Sequence, residues 1–182
     1  MDRIDSQKLK ISVKKAQNGN KDAFREIFDS LSNKFFAYVF SRTSNRDDAL
    51  DIVQDVFVDL WKSLKSFKYS SDEALYGFIF TITKRKLSRY YKHKTNFASL
   101  DEISEKYIAQ PEVNQEDYRF MQKHLSSLGS KYQDLLKLRY WSEMTFAEIA
   151  SSLNITETAA KVRHHRALKK LKIKLGKNIY AI

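Results

Sequence analysis

The amino-acid sequence predicts an all-α fold, with two small helical domains joined by a flexible acidic linker and a helix-turn-helix in the C-terminal domain. The chain of 182 residues has only four glycines and one proline. An average chain of this length has about 22 such residues, and strand-rich folds need them for their turns. Apolar residues recur at spacings of three and four over most of the sequence, which is the period of an amphipathic helix.

The N-terminal domain, residues 1–94, is predicted to contain four helices. Asn18-Gly19 follows the first helix and is a pair typical of a helix C-terminus. Asn45 can cap the third helix, since two aspartates follow it in the positively polarised first turn. The helices are expected at about 7–17, about 21–42, from about 46 onward, and at about 72–92. The third helix is expected to bury Leu50, Val53, Phe57, Leu60, Trp61 and Leu64.

Residues 95–117 are predicted to form the linker. They include six acidic residues, one basic residue, few large apolar side chains and Pro111. A polar, aperiodic segment of this kind buries too little apolar surface to fold by itself. The C-terminal domain, residues 118–182, is predicted to follow it. Four more helices are expected there, at about 118–128, 131–141, 146–153 and 157–174, with Gly176 ending the last one.

A tight turn separates the last two predicted helices. Only Asn154, Ile155 and Thr156 lie between them. Two short helices joined in this way indicate a helix-turn-helix, in which the second helix enters the major groove of DNA. Asn154 suits a left-handed turn position, and Thr156 suits the N-cap of the second helix. The C-terminal domain is therefore expected to bind DNA.

Basic charge is concentrated in two stretches. The chain has 33 basic and 22 acidic residues, a net charge of +11, which favours a polyanionic partner such as nucleic acid or an anionic membrane surface. Residues 80–94 hold six bases and no acid, and residues 161–177 hold eight bases and no acid. Aromatic residues interleave with the first group and can stack on unpaired bases. Both stretches could instead be solvated helix faces, but the second belongs to the predicted recognition helix, which favours DNA.

The third predicted helix has an excess of negative charge on one face. Four aspartates share one face of it, and we call them the acidic stripe: Asp48, Asp51, Asp55 and Asp59. Like charges at this spacing repel each other, so a purely structural role explains the stripe poorly. Three interpretations remain: a Mg²⁺ or Ca²⁺ site, a docking face for a basic protein, or a solvated acidic face.

Several classes of function lack support in the sequence. The chain has no cysteine, which excludes disulfides, thiolate zinc sites and thiol nucleophiles. Its glycines are too far apart for a phosphate-binding loop, and its four histidines fit no zinc-protease spacing. No run approaches the ~18 apolar residues of a membrane span, and the N-terminus lacks the apolar core of a signal peptide. A cytoplasmic protein without enzymatic activity, cofactor, metal or membrane insertion is expected.

Three segments in order resemble a bacterial RNA polymerase sigma factor of the extracytoplasmic-function (ECF) group. Residues 47–61, which include Leu50-Asp51-Ile52-Val53-Gln54-Asp55 and end in Leu60-Trp61, are similar to the polymerase-docking helix of that family. Residues 75–94 resemble its minus-ten promoter helix. Residues 144–171 resemble its minus-thirty-five helix-turn-helix. The resemblance extends over roughly residues 16–175, and it implies that the chain directs promoter recognition and melting for core RNA polymerase.

The resemblance implies roles for three groups of residues. The residues expected to bind the basic coiled coil of the polymerase clamp are Asp48, Asp51, Gln54 and Asp55. Those expected to hold an unstacked minus-ten base, or to grip the adjacent DNA backbone, are Phe67, Lys68, Tyr69, Ser70, Lys84, Arg85, Arg89 and Lys92. Those expected at the minus-thirty-five element are Thr158, Lys161, Val162, Arg163, His165, Arg166 and Lys169. The implied partners are core RNA polymerase and promoter DNA, and members of this family are commonly held by an anti-sigma protein.

The sequence departs from the family pattern at a few positions. Phe78 replaces the usual tryptophan of the minus-ten helix, and Arg85 replaces a frequent asparagine. Ala160 and His164 occupy recognition-helix positions that are usually apolar and inward-facing, and a buried neutral histidine needs a hydrogen-bond partner. Gly77 lies inside a predicted helix, where it indicates close packing.

Two other functions stay open at the level of sequence. One is a free-standing helix-turn-helix transcriptional regulator, which would read a palindromic site as a dimer. The other is a metal-dependent nuclease or recombinase built on the acidic stripe.

Overall fold

The computed structural model describes residues 6–97 and 123–179. Helices and the turns between them account for these ranges, which contain no β-strand, so the predicted all-α class is confirmed. A short helical stretch at 123–126 precedes the second group of helices. The elements are α1 (Ser6–Gln17), α2 (Lys21–Thr43), α3 (Arg46–Ser63), a single 3₁₀ turn (Leu64–Ser66), α4 (Asp72–Phe97), α5 (Ser130–Tyr140), α6 (Phe146–Leu153) and α7 (Glu157–Ile179).

Local capping interactions set most helix boundaries. The side chains of Asn20 and Asn45 accept hydrogen bonds from the first turns of α2 and α3, which satisfies backbone N–H groups that have no partner within the helix. Gly19 has a φ of 88° between α1 and α2, a conformation that glycine adopts without steric cost. Thr145 and Glu148 form a reciprocal capping box at the start of α6. These are the positions at which the sequence prediction of boundaries was most accurate.

Two boundaries differ from the sequence prediction. Helix α4 continues to Phe97, three residues into the segment expected to be linker, and the rest of that segment lies outside the described residues. Helix α7 continues through Gly176 to Ile179, so this glycine does not end the recognition helix. A single glycine costs only about 1 kcal/mol in a helix interior, and the surrounding residues of α7 favour the helix enough to continue it.

The N-terminal bundle consists of α1 to α4 and buries a core of large apolar side chains. Helix α3 turns Ala49, Ile52 and Val53 toward this core. Leu50, which was expected to be buried, is instead 40% exposed. The small Ala49 takes the inward position because it lies on the same face as Val53 and Val56, about 100° around the helix from Leu50.

The C-terminal bundle consists of α5 to α7 and packs directly against the N-terminal one. Helix α6 lies on α4, and α5 lies on the C-terminal half of α2. The buried apolar residues of the two bundles belong to one hydrophobic cluster. Within the described ranges, no helix is both long enough and apolar enough to cross a bilayer.

Candidate functional site

The acidic stripe on α3 lies beside the basic face of α4. Asp59 accepts one hydrogen bond from Arg85 at 3.0 Å and lies 3.1 Å from Lys86. Asp55 lies 3.2 Å from the same lysine, and Asp48 accepts a 2.8 Å bond from the hydroxyl of Tyr90. These contacts offset the repulsion along the stripe. The sequence suggested that a structural role explains the stripe poorly, but three of its four members make structural contacts with α4.

The charge on Asp59 is favoured by its neighbours. Burial opposes ionisation of this carboxyl, but hydrogen bonds from Lys86 and Arg85 outweigh it, so the pKa of Asp59 lies below its usual value. Asp51, by contrast, is exposed and makes no ion pair with the described residues. It is the member of the stripe most accessible to an external partner. No cluster of three metal-ligating side chains occurs within the described residues.

An apolar groove adjoins the exposed side chain of Gln54. It has a volume of about 490 Å³ and is walled by aromatic residues of α2 and α3. Phe24 meets Trp61 edge to face, with ring centroids 4.9 Å apart. Val58, which is 48% exposed, lies at its rim. The acidic stripe and this groove together form a surface that is charged on one side and apolar on the other. The residues lining the groove are Lys21, Phe24, Phe28, Gln54, Phe57, Val58 and Trp61.

The loop at residues 67–70 is held in one conformation by aromatic packing and backbone contacts. Phe67 stacks on Phe78 with ring centroids 4.8 Å apart. The side-chain amide of Gln17 donates to the carbonyls of Leu64 and Phe67, at 3.1 and 2.6 Å. The Tyr69 hydroxyl donates to Asp72. The two aromatic residues of the loop are thus half-buried and fixed.

The two other loop residues and the bases of α4 face solvent. Lys68 and Ser70 are exposed. Lys84, Arg89 and Lys92 are exposed as well, and none of them pairs with an acid in the described part of the chain. Arg85 is also exposed, but it forms an ion pair with Asp59. Of the four predicted minus-ten cations on α4, three thus make no ion pair with a described acid and one, Arg85, is paired with Asp59.

The predicted helix-turn-helix is formed by α6 and α7. Asn154 adopts the left-handed conformation between them, with φ 52° and ψ 53°. The hydroxyl of Thr156 accepts a 3.1 Å hydrogen bond from the amide of Ala159, as expected of an N-cap residue. Both turn predictions are confirmed.

The exposed face of α7 contains the predicted DNA-reading residues. Six of the seven are exposed, and Arg163 is half-buried. Val162 is an apolar residue with 44% exposure, and Lys161 pairs with Glu157 at 2.7 Å. On the opposite face, Ala160 and Ala167 are completely buried. The exposed set comprises Thr158, Lys161, Val162, His165, Arg166 and Lys169.

His164 has a hydrogen-bond partner that could not be identified from the sequence. Its Nε2 atom lies 3.0 Å from the hydroxyl of Tyr140, and its ring meets Phe146 edge to face at 5.3 Å. Burial, together with the nearby cation Arg139, lowers the pKa of His164 below its usual value. The histidine therefore replaces an apolar side chain by packing in its neutral form against two aromatic rings.

Reasoning from sequence missed two residues of α4 that hold the acidic stripe in place. Lys86 bridges two acids of the stripe, and Tyr90 holds a third. Both occur in the basic stretch that the sequence singled out, but their partners lie 27 to 42 residues earlier in the chain. Only the crossing of α3 over α4 reveals the pairing.

Two family models match this chain in consecutive order. Sigma-70 region 2 matches residues 27–97, a range that holds the acidic stripe, the loop at 67–70 and the bases of α4. Sigma-70 region 4 matches residues 121–171, which includes the helix-turn-helix. Together the two matches cover most of the described residues.

Curated relatives extend the similarity over nearly the whole chain. The chain is 25% identical over 181 residues to the ECF RNA polymerase sigma factor SigW of Bacillus subtilis, with 92% of this chain and 96% of that protein covered. It is 24% identical over 167 residues to the sigma factor YlaC of the same species, with 87% and 95% covered.

Solved structures share the fold. CnrH in complex with the cytosolic domain of CnrY matches with a TM-score of 0.66 and 22% identity, covering 92% of this chain and 96% of that one. The sigma factor RpoE in complex with the anti-sigma factor NepR, from Bartonella quintana, matches with a TM-score of 0.65 and 23% identity, covering 86% and 98%.

The match to region 2 decides between the remaining functions. A free-standing helix-turn-helix regulator would account for the C-terminal bundle only, whereas both bundles match sigma-70 regions and the match to SigW covers 96% of that protein. The chain belongs to the sigma-70 family as an ECF-type RNA polymerase sigma factor, which directs transcription initiation.

Proposed function

We propose that this sigma factor performs no catalysis of its own and works by holding core RNA polymerase and promoter DNA on three separate surfaces. One observation carries the assignment: an acidic helix lies against a basic helix in the N-terminal bundle, and a second basic helix is exposed on the other bundle. Surfaces of opposite sign suit a basic protein and a phosphate backbone respectively.

The first surface is the polymerase-docking surface. Asp51 and Asp55 offer exposed carboxylates to a basic helix of the polymerase, and Gln54 offers an amide between them. Asp48 contributes at the N-terminal end of the stripe, where Tyr90 orients it. The exposed Leu50 supplies apolar contact area beside these charges, and apolar contact adds affinity that charge alone does not give.

The second surface recognises the minus-ten element and promotes melting. An unstacked base would be held at the loop of Phe67, Lys68, Tyr69 and Ser70, while Lys84, Arg89 and Lys92 bind the adjacent backbone. Arg85 joins them when Asp59 releases it. Unstacking one base costs a few kcal/mol, which capture of the flipped base and contacts to phosphate offset.

The third surface anchors the protein on duplex DNA at the minus-thirty-five element. Exposed residues on α7 would enter the major groove, and Lys161, Val162, His165 and Arg166 are placed to reach base edges or phosphates. Thr158 at the N-terminal end, with Arg163 and Lys169 at the sides, suits phosphate contact. This surface fixes the register, so the minus-ten surface meets the DNA that is to be melted.

The domain division follows from these roles. We assign residues 1–94 to polymerase and minus-ten binding, residues 95–117 to the linker, and residues 118–182 to minus-thirty-five binding. Helix α4 extends to Phe97, so the first three residues of the assigned linker belong to this helix.

An anti-sigma protein is the proposed regulatory partner. One of the solved structures with this fold is a complex of the sigma factor RpoE with a partner named as the anti-sigma factor NepR. Such a protein would cover the acidic stripe or the basic recognition helix and exclude polymerase or DNA. We place the activity of the protein in the cytoplasm, because bacterial RNA polymerase and promoter DNA occur in that compartment.

Reversal of one exposed charge tests the docking surface. Asp51→Lys is expected to weaken binding to core RNA polymerase by roughly tenfold or more, because a lost attraction becomes a repulsion across the interface. Biolayer interferometry with immobilised core enzyme measures this affinity at several salt concentrations.

Asp29→Lys is the matched control. Asp29 is an exposed acid on α2, and its reversal changes the net charge equally, so it is expected to change the affinity for core enzyme by less than about twofold. Equal losses in the two variants would show that net charge, rather than the acidic stripe, governs the interaction.

A further inference from the structure

Helix α1 has a strongly basic exposed surface that belongs to none of the three surfaces proposed above. The helix contains four lysines and no acidic residue. Lys8, Lys10, Lys14 and Lys15 are all exposed, and none of them forms an ion pair with a described residue. The helix dipole favours the two lysines of the last turn, Lys14 and Lys15, but does not extend to Lys10. Because Lys10 and Lys14 are four residues apart, they repel each other, and no neighbouring carboxylate offsets this repulsion.

Two of these lysines share a helix edge with the residue that holds the loop at residues 67–70, which we call the minus-ten loop. Lys10, Lys14 and Gln17 occupy positions i, i+4 and i+7, which lie in one row along a helix. The side-chain amide of Gln17 donates to the carbonyls of Leu64 and Phe67, so this row ends at the minus-ten loop. Lys14 lies about 4.5 Å and Lys10 about 10 Å from Gln17 along the helix axis. We call Lys10 and Lys14 the α1 lysine pair.

The other two lysines of α1 lie on the opposite edge of its exposed surface. Lys8 lines a small cleft together with Glu26 of α2, and the carboxylate of Glu26 accepts a 2.6 Å hydrogen bond from Ser12 of α1. Lys15 is seven residues after Lys8 and therefore lies on the same edge. This edge faces α2 rather than the minus-ten loop. One helix thus has two edges with equal charge, of which one adjoins the loop.

The acids nearest the α1 lysine pair do not neutralise it. Ser6 and Leu9 of α1 line a cavity together with Asp72 and Glu73 from the first turn of α4, so these two carboxylates lie on the same side of α1 as the pair. Asp72 accepts a hydrogen bond from Tyr69, and neither acid forms an ion pair with a lysine of α1. Within residues 6–97 and 123–179, the pair is therefore available to an external anion.

The chemistry of this surface fits the phosphates of a nucleic acid better than a lipid bilayer. A helix that lies on a membrane inserts an apolar face into it. The apolar face of α1 is instead buried in the bundle, where Leu9, Val13 and Ala16 are at most 3% exposed. Ile11 is the exposed apolar residue of this helix. Lysines without an apolar face beside them bind a polyanion through charge and the release of its counterions.

We propose that Lys10 and Lys14 bind phosphates of the single strand next to the base captured by the minus-ten loop, on the side away from the α4 cations. This inference rests on the minus-ten function proposed above. The α4 cations begin at Lys84, ~18 Å along the helix from its start, whereas α1 contacts the loop and lies beside the first turn of α4. The exposed Lys65 and Lys68 lie in the turn and loop between the two sets. The captured base is thus flanked by cations on both sides.

The salt dependence of binding measures how many phosphates the chain contacts. The double variant Lys10→Gln/Lys14→Gln removes both cations and keeps good helix formers at both positions. Fluorescence anisotropy of a labelled oligo(dT) strand, titrated with the full-length chain at several salt concentrations, gives the slope of log affinity against log salt. This slope is expected to become shallower by about 1.4 in the variant, since each phosphate contact on a single strand contributes ~0.7. Binding at about 0.1 M salt is expected to weaken by roughly tenfold or more.

Lys8→Gln/Lys15→Gln is the matched control, because it removes the same charge from the other edge of the same helix. It is expected to change the slope by less than about 0.5. Equal losses in the two double variants, or no loss in either, would overturn the proposal. Vesicles of phosphatidylserine and phosphatidylcholine test the membrane alternative by co-sedimentation. Binding of the parent chain to these vesicles that Lys10→Gln/Lys14→Gln abolishes would also overturn it.

Promoter fragments of two lengths, bound by the chain together with core RNA polymerase, test where the contact lies. In the long fragment the strand with the captured base continues past that base, and in the short one it ends there. Lys10→Gln/Lys14→Gln is expected to weaken binding to the long fragment and to match the parent on the short one, whereas equal losses on both would overturn the placement. A parent chain that confers no promoter binding on core enzyme would contradict the proposed function instead, and the oligo(dT) slopes would still decide whether α1 binds phosphate.

Discussion

At the residue scale, two small side chains determine how closely α7 packs on the rest of the C-terminal bundle. Ala160 and Ala167 are both completely buried and lie seven residues apart on the same face. The helix must therefore approach its neighbours closely here, and little room for additional atoms is expected.

Overpacking at Ala160 tests this closeness. Ala160→Leu is expected to destabilise the protein by about 1–3 kcal/mol, because three added carbon atoms must displace packed neighbours. Ala159→Leu, one residue earlier and exposed, is the control and is expected to be within about 0.5 kcal/mol of the parent. Urea unfolding monitored by circular dichroism measures both. Similar stabilities for the two variants would mean that the site has free space.

At the scale of elements, the pairing of α3 with α4 connects the polymerase-docking surface to the DNA-binding one. Arg85 and Lys86 are held by carboxylates of the stripe, so they are less available to phosphate while these bonds persist. A basic partner that binds the stripe competes for the same carboxylates. Occupation of the docking surface would therefore free a cation on the helix that binds DNA.

Removal of one carboxylate charge tests this connection. Asp59→Asn is expected to strengthen binding of the free chain to single-stranded DNA by roughly twofold to fivefold, the range of a partly exposed ion pair. Asp47→Asn removes an equal charge from an exposed site on the same helix and corrects for the change in net charge. Fluorescence anisotropy with a labelled oligonucleotide measures both affinities, and equal gains would contradict the connection.

Local signals made the elements predictable from sequence, whereas contacts between elements were not. Asn45 and Asn154 act through hydrogen bonds and backbone preferences within a few residues, so their roles follow from adjacent sequence. The Lys86 pairs depend on how α3 crosses α4. Lys137 is the extreme case, since a lysine in the middle of a predicted helix is expected in solvent, yet it is buried between two bundles.

The candidate site was predictable to a similar extent. The spacing of the stripe placed its four aspartates on one helical face, and in the structure each of them is exposed or half-buried. The prediction that Leu50 is buried relied on its large apolar side chain, and it was wrong because the smaller Ala49 occupies the core position. Gly77 was visible in the sequence as a glycine inside a helix, but its close neighbour, Ser151 on α6, could be found only in three dimensions.

At the scale of the whole molecule, the packing of the C-terminal bundle on the N-terminal one is expected to depend on pH. We call the packed arrangement the closed state and an arrangement with separated bundles the open state. Burial, reinforced by the nearby Arg42 and opposed by Asp134, lowers the pKa of Lys137 to about 8. In an open chain the side chain is expected near its ordinary value of about 10.4. The closed state thus binds fewer protons, and it gains stability relative to the open state as pH rises from about 8 toward 10.

Distance measurements across this pH range test the linkage. Spin labels at Arg25→Cys on α2 and Lys131→Cys on α5 report the distance between the bundles by double electron–electron resonance, since the chain has no cysteine of its own. The closed fraction is expected to increase between pH 8 and 10, and to change little below pH 8, where Lys137 is protonated in both states. Tyr38 and Tyr91 stay neutral over this range because burial raises the pKa of each. Lys137→Met is expected to remove the pH dependence, and its persistence in this variant would assign it to another group.

The three surfaces act together only on the polymerase, so transcription tests the central claim most directly. Core RNA polymerase is incubated with a library of double-stranded promoters, with and without the full-length chain, and the RNA products are sequenced. We predict transcripts that depend on the chain and start downstream of two shared elements, and the Asp51→Lys variant is expected to lose them. Transcription by core enzyme that is unchanged by the chain, under conditions in which the chain is folded, would contradict the account.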